Sequence, residues 1–418
     1  MKVLWITNIL FPEAEQLLTG TGELKASGGW MLGAANALLQ DESVELYVAS
    51  VSPKVKQLTR LDGLQIKYFV LPLGRGNQDF NLEYCSFWKQ VEAEIKPDVV
   101  HIHGTEYSHG YAYMKACGSN NVVISIQGLT SAYYYYYYYG MSKSEVYRNL
   151  TFKDLLRGTV VKGQKQFMHR ARYEVEMIKM AKHIIGRTSW DRSHVWAVNP
   201  AARYHFCNET LRSEFYMGDT WNYDKCTKHT IFLSQAGYPI KGLHQVLKAM
   251  PLILRHYPDA TVRVAGADIT KYKSLKDRLK LSGYGKYIRT LIRKYGLADK
   301  VLFTGSLNAQ EMKSEYLKAN VFVCPSSIEN SPNSLGEAQI LGTPCIASYV
   351  GGVMDMMKGN EDCLYRFEDV EMLAEKICKV FSDAGKQVNM RLVASERHNP
   401  QKNAKMLYMI YKAIINKI

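Results

Sequence analysis

The sequence lacks any long apolar run. Its 418 residues contain no window of about twenty apolar residues, the length that a membrane-spanning helix needs. The apolar stretch at the N-terminus is broken by Asn8 and Pro12 and is much too short for the apolar part of a secretory signal. These absences predict a cytoplasmic protein that does not span a membrane.

Paired cysteines are also absent. The eight cysteines are scattered singly, no Cys-x-x-Cys pair occurs, and no histidines cluster at the spacing of zinc ligands. This distribution favours a reducing compartment, free thiols and no bound metal. With 418 residues, 47% of them hydrophobic, the chain is long enough to bury the cores of two large domains.

Negative charge is scarce relative to positive charge. The formal net charge is +14, and residues 151–203 carry eleven Lys/Arg against four Asp/Glu. Such an excess suits a nucleic-acid binder, a protein docked on an anionic membrane, or an enzyme for anionic substrates. No zinc-finger, RRM or KH signature accompanies the basic segments, which disfavours nucleic acid.

Short runs rich in Val and Ile alternate with helical patterns along the whole chain. Residues 3–6, 122–126 and 321–324 are examples. Continuous apolar strands that alternate with helices are typical of parallel sheets covered on both faces. The alternation restarts near Thr230 after an irregular stretch, so we expect one domain over residues 1–223 and a second over 224–400. The apolar stripe of the C-terminal helix, residues 401–418, suits packing on either domain, and we assign it to the first.

The strongest chemical signal lies in the loop and helix after residue 324. Glu329 falls in the loop, and Glu337 falls in the first turn of a helix that we expect to begin near Ser334. Ligands of open α/β sheets bind outside the carboxyl ends of the strands, and free N–H groups at a helix N-terminus accept phosphate. Ser334-x-x-Glu337 is also a capping box, which would explain both residues without a ligand.

The spacing Glu329-x7-Glu337, followed by Leu-Gly-Thr-Pro at 341–344 and Val-Gly-Gly at 350–352, resembles glycosyltransferase family 4. Other segments resemble that family in the same order along nearly the whole chain. They are Gly28-Gly29, residues 97–103, the Asn208 region, Lys241-Gly242 and residues 301–305.

The resemblance implies the GT-B fold, with two Rossmann-like domains that face each other across a cleft. The second domain would hold a UDP- or GDP-sugar, the first would hold the acceptor, and transfer would retain the anomeric configuration. In this interpretation Glu337 binds the ribose hydroxyls, because a carboxylate only accepts hydrogen bonds. Glu329 faces the transferred sugar, and Lys241 binds the diphosphate and stabilises it as it leaves.

The remaining donor contacts implied by the resemblance are made by backbone groups. Asn333 and Ser334 would offer N–H groups to the diphosphate, and Gly28, Gly29 and Gly305 would allow the backbone to approach the donor. For Gly28 and Gly29, a tight turn between strand and helix is the alternative. The sequence has no Asp-x-Asp pair, the usual metal-diphosphate ligand of the other large glycosyltransferase fold. We therefore expect no metal and no cofactor, with the nucleotide sugar as a substrate.

The sequence departs from the family pattern at two places. The family commonly has Arg five or six residues before the lysine, where this chain has Gln235 and Ala236, so Arg187 is a candidate replacement. The family often has His where this chain has Gln127. A glutamine can hydrogen-bond a sugar hydroxyl but cannot take up a proton at neutral pH, so it does not suit the role of a general base. His103 is either a ligand contact on the acceptor or sugar side or a structural histidine.

Seven consecutive tyrosines occupy residues 133–139, before the basic stretch at 153–203. Tyrosine rings suit the headgroup level of a membrane, and basic residues are attracted to an anionic leaflet. One hypothesis is therefore a lipid-linked acceptor and a first domain that contacts an anionic membrane peripherally, at its inner face. The alternatives are tyrosines that stack on a soluble glycan and a basic stretch that is an ordinary solvated helix face.

The predicted function is transfer of a sugar to a glycan or lipid-linked acceptor, as in the synthesis of bacterial surface polysaccharide or glycoconjugates. Two other functions stay open at this point. A GT-B-like nucleotide-sugar epimerase would share the cleft but use no acceptor. A non-catalytic binding protein would have a degenerate site, for which the missing Arg and His are the argument.

Overall fold

The computed structural model describes residues 1–20, 29–73, 80, 82–383 and 390–416. These residues form fourteen strands: β1 Lys2–Thr7, β2 Glu45–Ser52, β3 Thr59–Asp62, β4 Ile66–Pro72, β5 Val99–His103, β6 Val122–Ser125, β7 His183–Gly186, β8 Arg203–Phe206, β9 Thr230–Leu233, β10 Thr261–Val264, β11 Val301–Phe303, β12 Val321–Cys324, β13 Cys345–Ser348 and β14 Leu364–Tyr365.

Eighteen α-helices connect the strands in the described part of the chain: α1 Pro12–Thr19, α2 Gly29–Leu38, α3 Leu82–Ile95, α4 Ser108–Cys117, α5 Thr130–Tyr133, α6 Lys143–Arg148, α7 Phe152–Arg157, α8 Val160–Met180, α9 Ser189–Val198, α10 Leu243–His256, α11 Leu275–Lys280, α12 Gly283–Lys294, α13 Ala309–Lys318, α14 Asn333–Leu341, α15 Val353–Met356, α16 Val370–Ser382, α17 Met390–Arg397 and α18 Pro400–Ile415.

The chain divides into two compact units. Unit 1 comprises Met1–Ala132, Gln166–Ser213 and Arg397–Ile418, and unit 2 comprises Tyr133–Lys165 and Glu214–Glu396. The C-terminal helix α18 is therefore part of unit 1. The division differs from the expected boundary at 223, because residues 133–165 and 214–223 belong to unit 2. Met141 and Val146 account for the first difference, since both are buried in the core of unit 2.

The sheet of unit 1 has eight strands in the order β3-β4-β2-β1-β5-β6-β7-β8. All neighbouring strands are parallel except β3 and β4, which pair antiparallel. The register aligns Thr7 with His103 and His103 with Ser125. These polar residues therefore lie side by side at the carboxyl edge of the three central strands.

The sheet of unit 2 has six parallel strands in the order β11-β10-β9-β12-β13-β14. Its strands bury both faces, as the continuous apolar runs predict. Along β9, Ile231 and Leu233 enter one core cluster, whereas Phe232 enters the other. Two units with largely parallel, helix-covered sheets confirm the predicted α/β class with two Rossmann-like domains.

Candidate active site

The candidate active site of unit 2 lies at the carboxyl ends of two adjacent strands. β9 and β12 are hydrogen-bonded neighbours, so the loops that follow them emerge at the same edge of the sheet. The loop after β9 ends in Lys241, and the loop after β12 carries Glu329. Parallel sheets bind their ligands at this edge.

Lys241 and Glu329 form an ion pair. The Lys241 Nζ lies 2.6 Å from Glu329 Oε1, and Ser326 Oγ donates to the same oxygen at 2.8 Å. Both charged side chains are largely buried, 14% and 10% exposed. Burial acts to lower the pKa of Lys241, but the Glu329 carboxylate, the Tyr238 ring and the hydrogen bond outweigh it and raise that pKa above its ordinary value. The ammonium therefore stays protonated at neutral pH.

Two glycines hold the partners of this pair in place. Gly242 has a φ of +69°, and a Cβ there would lie 1.7 Å from the carbonyl oxygen of Pro325. Gly351 has a φ of +51°, and its Cβ would lie 2.0 Å from the carbonyl oxygen of Glu329. The backbones pack directly at both places, which only glycine permits. These contacts explain physically why glycines accompany the lysine and follow the second glutamate in the sequence.

Helix α14 begins one residue earlier than expected. Its N-cap is Pro332, which makes no side-chain cap, so Ser334 and Glu337 do not form the capping box that the sequence allowed. The N–H groups of Leu335 and Gly336 bond the carbonyl of Pro332. Within the described residues the N–H groups of Asn333 and Ser334 have no protein acceptor, as expected for the first turn of a helix. They stay available to an anion.

The side chains of this helix N-terminus add further polar atoms. Glu337 is buried, with the Tyr316 hydroxyl 3.5 Å from its Oε2, and the same hydroxyl donates to the carbonyl of Ser334 at 3.0 Å. The Oδ1 of Asn333 is buried and has no hydrogen-bond partner among the described residues. A buried oxygen without a partner is costly unless a ligand or water completes it. The structure thus places Asn333, Ser334 and Glu337 together.

The structure does not test whether the three glycines predicted for the donor site contact a donor. Gly305 follows β11, has a φ of +83°, and exchanges backbone hydrogen bonds with Gly266, so its N–H group is already used. Among the described residues, no atom beyond the chain neighbours lies within 4 Å of the position of a Cβ at Gly305. Gly29 is the first residue of α2 in unit 1, and Gly28 lies outside the described residues. A donor contact through these three glycines stays a prediction.

The tyrosine segment packs beside the Lys241–Glu329 pair, which the sequence did not indicate. Ser327 Oγ donates to the Tyr136 carbonyl at 2.8 Å, and His244 Nε2 lies 3.1 Å from the Tyr139 carbonyl. Lys248 donates to the carbonyl of Gly140 at 3.0 Å. The expectation that residues 133–139 form a surface of the first domain is therefore wrong, because backbone contacts fix them to unit 2.

The basic stretch of the same hypothesis is divided between the units. Residues 153–165 lie in unit 2, and residues 166–203 lie in unit 1. In the tyrosine run, Tyr135 is 64% exposed, Tyr136 and Tyr139 are exposed to smaller extents, and the other four are half-buried. The run and the whole basic stretch thus do not form one surface of one unit.

Unit 1 contains the three residues expected on the acceptor or sugar side. His103 and Arg187 line one cavity of about 50 Å³, and Gln127 contacts Arg187. The Arg187 Nη2 donates to the carbonyl of Ile126 at 2.5 Å and lies 3.4 Å from Oε1 of Gln127. The structure therefore brings His103, Gln127 and Arg187 together.

Arg187 is engaged inside unit 1. Its Nη1 lies 2.5 Å from Glu209 Oε2, and its side chain is 4% exposed. The guanidinium is therefore buried and paired with a carboxylate of its own unit. Its role as a replacement for the cation that the sequence lacks at Gln235 and Ala236 stays a prediction.

The histidines of the same region are neutral at ordinary pH. Burial, assisted by the nearby Arg187, lowers the pKa of His103 to about 3. Its Nε2 is buried without a hydrogen-bond partner among the described residues. His101 has a lowered pKa for the same reason, burial, and it bridges the Tyr411 hydroxyl at 2.6 Å and Ser125 Oγ at 2.5 Å. His103 thus retains a free ring nitrogen beside the cavity, whereas His101 is structural.

Sequence reasoning missed Glu106, which lies three residues after the end of β5. Its Oε1 accepts from the N–H of Gly128 at 3.1 Å, and its Oε2 accepts from Asn8 at 3.2 Å. Burial, with the nearby Glu174, raises the pKa of Glu106 to about 7. Its position at the carboxyl end of a strand was the available signal. Unit 1 therefore holds a carboxyl group that titrates near neutral pH.

The described residues lack two kinds of feature. They contain no group of three or more His, Cys, Asp or Glu side chains that could hold a metal ion. Among these same residues, no helix combines the length and apolar character needed to cross a membrane.

Comparison with known proteins agrees with the geometry of unit 2. Residues 223–405 match the family described as Glycosyl transferases group 1. A putative glycosyltransferase of Bacillus subtilis is 31% identical over 166 residues, 39% of this chain and 36% of that protein. A D-inositol 3-phosphate glycosyltransferase of Corynebacterium urealyticum is 25% identical over 185 residues, 42% of this chain and 41% of that protein. The matched part thus spans about two fifths of each relative's length.

The likeness of solved structures extends further than that of the sequences. The sucrose-phosphate synthase of Thermosynechococcus elongatus superposes with a TM-score of 0.70 over 100% of both chains, at 17% sequence identity. At that identity the likeness concerns the fold, which is the predicted GT-B fold. The chain thus has the GT-B fold, and its residues 223–405 are similar to the group 1 glycosyltransferases.

Proposed function

We propose that the protein is a retaining glycosyltransferase that transfers a sugar from a UDP- or GDP-sugar to a glycan or lipid-linked acceptor. The observation that carries the proposal is the Lys241–Glu329 pair at the carboxyl edge of β9 and β12. The unoccupied N–H groups at the start of α14, after the same strand β12, add to it. Together they provide cationic and dipolar partners for a diphosphate and a carboxylate for a sugar.

Lys241 stabilises the leaving group. When the bond between the sugar C1 and the diphosphate oxygen breaks, the diphosphate takes the electron pair and its negative charge rises. An ammonium has three N–H donors, and Glu329 occupies one of them. The others are free to reach phosphate oxygens, and their attraction grows as the bond breaks. This interaction lowers the barrier more than it strengthens ground-state binding.

Glu329 binds the sugar that is transferred. Lys241 and Ser326 use part of the hydrogen-bonding capacity of its Oε1. A carboxylate has about four lone-pair sites, so room remains for sugar hydroxyls. Its negative charge also stabilises the positive charge that develops at C1. Retention of configuration is proposed on the resemblance to the family.

Glu337 binds the ribose of the donor. In the structure it caps no helix terminus, since the N-cap of α14 is Pro332. A buried carboxylate without a capping role has another reason to be present, and accepting from two vicinal hydroxyls suits it. The base, uridine or guanosine, is left to the binding measurement below.

The reaction is proposed to need neither a metal nor a cofactor. Lys241 and the start of α14 supply positive charge to the diphosphate, the part that a divalent cation plays elsewhere. The chelator EDTA should therefore leave turnover largely unchanged in metal-free buffer. Loss of activity on chelation, with recovery on adding Mg²⁺ or Mn²⁺, would contradict this part of the proposal.

The acceptor is proposed to be a polyhydroxylated molecule that unit 1 binds. His103 lines the cavity and has a buried Nε2 without a hydrogen-bond partner among the described residues, and Gln127 contacts Arg187 of the same cavity; both side chains suit hydroxyl groups. A relative is named for D-inositol 3-phosphate, a phosphorylated polyol whose hydroxyl groups agree with this chemistry. A role in bacterial surface polysaccharide or glycoconjugate synthesis is part of the proposal.

The decisive experiment combines binding and turnover. Thermal melting with UDP, GDP and their sugars identifies the base, because a ligand that binds the native state raises the melting temperature. The preferred sugar is then incubated with and without acceptors, and its products are followed by NMR. Transfer or slow hydrolysis with the donor's own anomeric configuration supports the proposal. Inversion contradicts retention, epimerisation without cleavage indicates the epimerase, and binding without any reaction indicates a binding protein.

A further inference from the structure

Unit 2 exposes apolar side chains on two short helices that lie side by side. α7 and α11 are in contact, and the N–H of Gly283, just after α11, donates to Asp154 of α7 at 3.2 Å. The exposed apolar residues of the pair are Phe152, Leu155, Leu156, Leu275 and Leu279, with Leu155, Leu156 and Leu275 69 to 76% exposed. We call these five residues the α7–α11 face. Contiguous apolar exposure of this kind marks an interaction site.

The face is held rigidly on unit 2. Lys286 donates to the carbonyl of Leu150 at 3.1 Å, and Thr290 donates to Asn149 at 3.2 Å, so α12 fixes the chain just before α7. Capping boxes begin both α7 and α11. The exposed leucines are therefore presented by an ordered surface, and their exposure is a feature of the fold.

The surroundings of the face are strongly basic. Residues 271–294 contain nine Lys/Arg and one acid, and residues 143–165 contain six Lys/Arg and two acids. All three acids are engaged within unit 2, because Glu145, Asp154 and Asp277 each complete a capping box. The three acids are too few to offset the fifteen Lys/Arg of these segments, among them the exposed Lys271 and Lys276.

We propose that the α7–α11 face docks the protein on an anionic lipid bilayer. The leucines and Phe152 enter the boundary between headgroups and acyl chains, and the surrounding Lys/Arg are attracted to anionic headgroups. A second copy of the chain would bring one basic rim against another, which repels. Nucleic acid would satisfy the charge but leave the leucines without a partner. The inference goes beyond the proposed function, because nothing in it depends on catalysis.

The test is flotation of the full chain with phosphatidylcholine vesicles that contain increasing fractions of phosphatidylglycerol. Binding should rise with the anionic fraction and fall in high salt, where surface charges are screened. Replacing Leu155, Leu156, Leu275 and Leu279 with serine should lower the bound fraction about tenfold or more, because their apolar area no longer enters the bilayer. The charge variant Lys271→Gln/Lys276→Gln should weaken binding to anionic vesicles and reduce its salt dependence.

Matched controls remove exposed groups elsewhere. Leu64→Ser/Leu392→Ser removes leucines that are 97% and 65% exposed outside the face, and Lys56→Gln/Lys358→Gln removes exposed lysines. Both controls should float as the unchanged protein does. The proposal is overturned if no vesicle composition binds the protein, or if the serine variant binds as its control while melting normally. Donor binding, measured by melting without vesicles, tests the proposed function separately.

Discussion

The carboxyl edges of the two sheets carry different kinds of polar side chain. The edge in unit 2 carries a charged pair, Lys241 and Glu329, whose backbones are packed through glycines. The edge in unit 1 carries neutral histidines, and its Arg187 is paired internally with Glu209. A diphosphate requires positive charge, whereas a polyol requires neutral hydrogen-bonding groups. The comparison supports a donor in unit 2 and an acceptor in unit 1.

The largest effect should come from removing the cation of the unit 2 edge. Lys241→Ala is expected to lower turnover about a hundredfold to a thousandfold, the scale of losing one preorganised charge-stabilising donor. Donor affinity should fall less, because the interaction strengthens as the bond breaks. Release of nucleoside diphosphate measures turnover, and Lys358→Ala, which removes an exposed lysine of the same unit, is the control. Activity within about threefold of the unchanged protein removes Lys241 from the mechanism.

The packing of the same edge can be broken without touching a charge. Gly351→Ala places a Cβ 2.0 Å from the carbonyl oxygen of Glu329 at a positive φ. We expect a loss of about 2 to 5 kcal/mol in the free energy of unfolding, from strain plus overpacking. Gly359→Ala is the matched control, since its φ is +81° but no atom of the described residues beyond its chain neighbours lies within 4 Å of the position of a Cβ there. Denaturant unfolding measures both, and equal losses would show that close packing at Gly351 contributes nothing.

The sequence predicted much of the unit 2 edge because its motifs are local. Glu329, Asn333 and Glu337 lie within nine residues of one another after one strand, and the structure keeps them together. The capping box does not form because the helix begins at Asn333 with Pro332 as its N-cap, so Ser334 lies inside the first turn. Ser334 could cap the helix only if the first turn began after it, and a sequence pattern does not predict the first residue of a helix to within one or two positions.

The sequence predicted less where the partners are distant along the chain. The pairing of Arg187 with Glu209, and the packing of the Tyr136 backbone on Ser327, join segments that no local pattern relates. For the same reason the sequence did not predict that residues 133–165 belong to unit 2. The alternation of strands and helices located the two sheets correctly. It does not predict that a segment between two parts of unit 1 packs on unit 2, as residues 133–165 do.

Donor binding by the buried Glu337 would be a second difference between the carboxyl edge of the unit 2 sheet and that of unit 1. Glu337→Gln is expected to weaken donor binding about tenfold to a hundredfold, because a charge-assisted acceptor is lost. Stability should stay near normal, because Glu337 completes no capping box. Glu311→Gln is the control, because it makes the same change at a glutamate of unit 2 that completes a capping box, that of α13. Calorimetric titration measures affinity, and an unchanged dissociation constant would leave Glu337 with a packing role alone.

The smallest expected effect concerns the titratable carboxyl group of unit 1. Burial raises the pKa of Glu106 from 4.5 to about 7. Below pH 4.5 the group is protonated in the folded and the unfolded chain, so it costs nothing. As the pH rises through the window to about 7, the unfolded chain releases the proton first, and the unfolding free energy falls. The protein should therefore lose stability relative to Glu106→Gln, by on the order of 1 to 3 kcal/mol above pH 7. Denaturant unfolding at pH 4 and pH 8 measures this difference, with the exposed Glu42→Gln as the control. If Glu106→Gln gives the same difference from the unchanged protein at both pH values, the folded protein does not raise the pKa of Glu106.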